Sequence, residues 1–72
     1  MLFEYWDSNR GESFIYTEDW DIAQKLKEEA LSTATYLKGG RTAGWQFLVP
    51  NSVLRILKKR YPKTEYEQRD AK

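Results

Sequence analysis

The sequence predicts an α+β domain of element order ββαβα, a short antiparallel or mixed three-stranded sheet covered by two helices. Three observations carry that expectation. Aromatic residues alternate with polar ones in two N-terminal runs, apolar residues recur at helical spacing in two later stretches, and between those stretches lies the apolar run Gly44-Trp45-Gln46-Phe47-Leu48-Val49-Pro50. Glycines before that run and proline after it separate it from either helix, which leaves an extended central strand as its natural state.

Leu2 to Trp6 reads as the first strand, with Phe3 and Tyr5 on one side and Leu2, Glu4 and Trp6 on the other. Ser13 to Thr17 reads as the second, with Phe14 and Tyr16 opposed to Ile15. The intervening Asp7-Ser8-Asn9-Arg10-Gly11-Glu12 has turn chemistry at hairpin length, Gly11 being suited to a positive φ. A first helix is expected to start near Thr17 to Asp19, where Glu18, Asp19 and Asp21 complement the positive end of its dipole. Its buried stripe would be Ile22, Ala23, Leu26, Ala30, Ala34 and Leu37, and Gly39 or Gly40 would stop it.

The third strand places Trp45, Phe47 and Val49 on the face that packs against this helix. After Pro50, Asn51 or Ser52 is expected to cap a second helix with the apolar arc Val53, Leu54, Ile56, Leu57 and Tyr61, ended by Pro62. Residues 1–62 thus read as a single domain. Residues 63–72 contain almost nothing to bury and read as a charged, flexible tail.

Composition narrows the chemistry. A chain of 72 residues has little core to spare, and it contains neither Cys nor His, so disulfides, thiolate metal sites and the commonest general base are excluded. No spacing of the remaining carboxylates, hydroxyls and amines assembles a nucleophile, its base and an orienting group, so the chain reads as non-enzymatic, without cofactor or metal. Glu18, Asp19 and Asp21 suit a helix start better than a cation site, and the adjacent Glu28 and Glu29 diverge around the helix. The first residues lack a basic leader and no apolar stretch reaches membrane length, which makes a cytoplasmic protein with no membrane contact the expectation.

Charge is divided along the chain. Residues 1–36 carry eight acids against three bases, and residues 37–72 carry nine bases against three acids. Placing residues at 100° intervals gathers Arg55, Lys58 and Lys59 opposite the apolar arc of the second helix, with Arg60 following. Such clustered cations release counterions from a phosphate backbone, so Arg41, Arg55, Lys58, Lys59 and Arg60 form the candidate nucleic-acid-binding set; an acidic protein is the other partner such a face suits. The glycines of Gly39-Gly40-Arg41-Thr42-Ala43-Gly44 have phosphate-loop spacing, but Trp45 and a strand follow where Lys, Ser or Thr and a helix are needed.

Eleven aromatic residues exceed what so small a core needs. Phe3, Tyr5, Phe14, Tyr16, Trp45 and Phe47 read as core, whereas Trp6, Trp20 and Tyr36 fall off the main stripes and are the candidate partner-binding residues. The functional expectation is a small binding domain that contacts nucleic acid through its basic helix. The alternative is a protein-interaction module, a homodimer or a small subunit of a larger assembly, using exposed rings or a sheet edge.

Overall fold

A computed structural model describes residues 1–70. The α+β class stands, but the sheet has five strands in place of the expected three. In chain order the elements are β1 (Phe3–Asp7), β2 (Glu12–Thr17), α1 (Trp20–Lys27), β3 (Ser32–Lys38), β4 (Arg41–Pro50), α2 (Asn51–Arg60), a 3-10 turn (Lys63–Glu65) and β5 (Tyr66–Gln68). Across the sheet the order is β3-β4-β2-β1-β5; every pairing is antiparallel except that of β1 with β5.

The first hairpin forms as its turn residues dictate. Asn9 and Gly11 take φ of 67° and 76°, the Asn9 amide donates to Asp7 Oδ1 at 3.0 Å, and Ser8 closes onto the Glu12 carbonyl through its amide and its hydroxyl. Asp19 then caps α1, its Oδ1 accepting from the Ile22 amide at 3.0 Å.

The first helix does not continue to Leu37. It ends at Lys27, and Ser32–Lys38, expected as its last turns, is strand β3. Ala30, Ala34 and Leu37 do fall at helical spacing from Leu26, but Ser32, Thr33 and Thr35 are poor helix formers and the β-branched threonines favour a pleated strand. Gly39 and Gly40 decide the matter. Both have positive φ, 59° and 80°, and they join the paired Lys38 and Arg41 as the two-residue loop of a hairpin, so the expected helix stop is a hairpin turn.

Five of the core residues come from the helices, Ile22, Ala23, Leu26, Leu54 and Leu57; the remaining four, Phe3, Ile15, Phe47 and Val49, come from the strands. Register puts Phe3 beside Thr17 and Trp45, and Tyr5 beside Ile15 and Phe47. These side chains share a face, so both helices lie on the same side of the sheet. Thr17 is buried there, with its hydroxyl donating to the Leu2 carbonyl at 2.8 Å and accepting from the Asp19 amide at 3.0 Å.

Phe14 and Tyr16, expected in the core, stand on the opposite face, because β2 turns Ser13, Ile15 and Thr17 toward the helices. The expected cap of α2 is also revised. Pro50 occupies the cap position without a side-chain bond, while Asn51 Oδ1 accepts from Ser13 Oγ at 2.5 Å and the Asn51 amide donates to the Gly11 carbonyl.

The domain does not stop at residue 62. The 3-10 turn carries the chain back to β1, where Phe3, Glu4 and Tyr5 pair with Tyr66, Glu67 and Gln68. Tyr66 stacks on Phe3 with centroids 5.1 Å apart, and the Arg69 amide donates to the Tyr5 carbonyl at 2.7 Å. Residues 63–69, expected in a flexible tail, thus complete the sheet's second edge; residues 71–72 of that expectation lie outside the described residues.

Candidate nucleic-acid interface

The five candidate cations are divided among three places. Arg55, Lys58 and Lys59 line one groove on the helix side of the sheet together with Ser13, Asn51, Leu54 and Tyr66. Arg60, about 140° around the helix from Arg55 at 100° per residue, faces a different depression that it shares with Lys25, Glu28 and Glu29. Arg41 sits opposite Lys38 at the β3–β4 turn and lines neither.

Among the described residues no carboxylate lines the first groove. Among the described residues the ion pairs join Arg69 to Glu4 and the N-terminal amine to Glu65, so Arg55, Lys58 and Lys59 carry charge that no acid of those residues neutralises. Lys58 is held in place. Its Nζ donates to Tyr5 Oη at 3.2 Å and lies 4.7 Å from the Tyr5 ring centroid and 5.9 Å from that of Tyr66. A ring face attracts a cation electrostatically without cancelling its charge, so this contact orients the ammonium at the groove and leaves it positive. Arg55 and Lys59 are more exposed and more free to adapt.

Tyr5 and Tyr66 belong to this site although the sequence pointed to neither. Tyr66 was hidden because it reaches Lys58 only through the pairing of β5 with β1, a contact 63 residues apart in the chain between Phe3 and Tyr66. A lone Tyr66 between Glu65 and Glu67 was the one available signal, too little to define a strand alone.

The candidate partner-binding rings also separate. Trp6 and Tyr36 lie on the face without helices, whereas Trp20, 61% exposed, packs at the helix side against Trp45 at 5.5 Å. On the open face Trp6 stacks on Phe14 at 5.5 Å, Tyr36 meets Tyr16 edge-on at 5.7 Å, and Tyr36 Oη donates to Gln46 Oε1 at 2.7 Å. The Arg69 guanidinium lies 4.6 Å from the Trp6 ring centroid while binding Glu4 at 2.6 Å, so its charge is already compensated. Tyr16 donates to Glu18 at 2.9 Å; burial, then the Glu18 carboxylate, pushes its phenol above the usual 10.0. This face is aromatic and weakly acidic, with Glu4 and Glu67 in one row, and it is the reverse of the cationic groove.

Among the described residues no helix is long and apolar enough to cross a membrane, and no group of three or more acids is placed to hold a metal ion. The chain matches no protein-family profile, no curated protein and no solved structure.

Proposed function

We propose that this chain is a small cytoplasmic, non-catalytic domain that binds the phosphate backbone of a nucleic acid in the groove of Arg55, Lys58 and Lys59. The observation that carries this reading is the convergence of three cations on a groove that no carboxylate of the described residues lines, one of them oriented by Tyr5 and Tyr66. Ser13, which also lines the groove, gives its hydroxyl proton to Asn51 Oδ1, and three cations outnumber the neutral polar groups that remain beside them, so the site offers charge more than a pattern for reading bases. Sequence preference is therefore weak.

The test is a titration of a labelled oligonucleotide, single-stranded and duplex in turn, at several salt concentrations. Three phosphate contacts give a slope of log affinity against log salt of about −2 to −3. Lys58→Gln and Lys59→Gln each reduce the slope by about one and weaken all sequences alike. Absence of binding at low salt, or affinity indifferent to salt, overturns the reading.

A second reading, binding of a protein partner, is favoured by a separate observation. Trp6, Phe14, Tyr16 and Tyr36 form their array away from the cationic groove, on a sheet face that no helix covers.

A further inference from the structure

The two ends of the sheet are built differently. At one end β5 is three residues long, carries Glu67, and is followed by Arg69, which is fastened to Glu4. Short length and charge are the usual ways of discouraging strand addition. At the other end β3 runs for seven residues, all exposed, with β4 as its single neighbour among the described residues. From Ser32 to Leu37 it has neither charge nor proline. The register shift of this hairpin falls between Tyr36 and Leu37, where Tyr36 pairs with Gly44 and Leu37 with Thr42, so the extra residue, Ala43, belongs to β4 and β3 itself stays regular. Tyr36 and Leu37 stand 44% and 67% exposed on it.

We propose that β3 pairs with β3 of a second copy of this chain, antiparallel about a twofold axis through Thr35. The strand's own sequence argues for a copy over an unrelated strand. In that register Thr35 faces Thr35, Ala34 faces Tyr36, Thr33 faces Leu37 and Ser32 faces Lys38, so each large side chain meets a small one and the two lysines stay apart. Exposure of β3 on both faces means that neither helix overhangs the edge, and the second sheet has room to approach. A twofold along the sheet normal keeps both pairs of helices on one side. The dimer is then a continuous ten-stranded sheet, with the two Arg55-Lys58-Lys59 grooves on one side and the two aromatic faces on the other. This contact is made at the sheet edge and leaves the aromatic faces open, so it stands independently of both the aromatic-face reading and the nucleic-acid reading.

The test is the mass in solution, by sedimentation equilibrium, of the full chain and of two charge variants at the axis, with circular dichroism to confirm folding. The wild type is expected at twice the chain mass. Thr35→Lys and Thr35→Glu each set like charges face to face and raise the dissociation constant about tenfold or more. An equimolar mixture of the two restores the dimer by pairing opposite charges. A wild type that stays monomeric at millimolar concentration overturns the proposal, as does a Thr35→Lys variant that associates as tightly as wild type, or a mixture that gains nothing over its components. Lys58→Gln and Lys59→Gln leave the dimer mass unchanged, so loss of oligonucleotide binding and loss of pairing are read separately.

Discussion

The two faces of this sheet use the same side-chain chemistry to opposite ends. On the helix side Phe3, Ile15, Phe47 and Val49 are all but inaccessible, held between strands and helices. On the other side, Trp6, Phe14, Tyr16 and Leu48 occupy the same strands yet remain partly exposed, Trp6 stacked on Phe14 and Tyr16 edge-on to Tyr36. Ring content therefore does not define the core. What defines it is the parity of β2, whose Ser13, Ile15 and Thr17 match the helices and leave Phe14 and Tyr16 outside.

Substitutions on the two faces are therefore expected to differ severalfold in cost. Phe47→Ala, which empties the centre of the covered face, is expected to cost about 3–5 kcal/mol. A domain this small has only about that much to lose, so urea denaturation followed by circular dichroism should find the variant largely unfolded in dilute buffer. A cost below about 1 kcal/mol, the surface range, breaks the comparison.

Gly44→Ala tests the open face where it is tightest. A Cβ at Gly44 would come within 2.7 Å of Tyr16 Cζ, so the ring that covers this glycine must swing aside. The expected cost is about 1–3 kcal/mol, the range for inserting a methyl group into a packed contact. It falls at the low end, because the ring can move toward solvent. Loss of the Tyr16–Tyr36 contact in an aromatic nuclear Overhauser spectrum reports the displacement directly.

A double-mutant cycle on Trp6→Ala and Phe14→Ala sharpens the comparison further. Stacked rings on a half-exposed face should couple by about 0.5–1.5 kcal/mol. Coupling of zero would mean that the pair is only juxtaposed.

The smallest effect is a pH dependence. The raised pKa of Tyr16, caused first by burial and then by Glu18, means that the folded state holds the phenolic proton more firmly than the unfolded chain does. That stabilisation is complete below the ordinary value of 10.0 and is lost as pH rises through the higher folded value. Tyr16→Phe should flatten the alkaline fall in stability, and Glu18→Gln should bring the Tyr16 titration, followed by tyrosinate absorbance, back toward the ordinary range while barely changing stability at neutral pH.

Local signals made much of this architecture legible. The turn at Ser8–Gly11, the Asp19 cap, the break at Pro50 and the inward side of Trp45, Phe47 and Val49 all follow from residues within a few positions of one another. What escaped was non-local or ambiguous. Ala30, Ala34 and Leu37 fit a helical stripe by coincidence of spacing, while the paired glycines that make Ser32–Lys38 a strand serve equally well as a helix stop. β5 exists because the free side of β1 accepts it, a condition that residues 63–70 do not express themselves. The site divides in the same way. Arg55, Lys58 and Lys59 share an arc by helical geometry alone, but Tyr5 and Tyr66 reach Lys58 only through the sheet, and the separation of Arg60 follows from its neighbours on the other flank of α2.

The two faces can be told apart in a single experiment, an amide-resolved titration of the isotope-labelled protein with a short oligonucleotide at low salt. Saturable shifts concentrated at Ser13, Asn51, Arg55, Lys58, Lys59 and Tyr66, with Trp6, Phe14 and Tyr36 unmoved, are the predicted result. Shifts centred on Trp6, Phe14 and Tyr36, or none anywhere, would contradict it.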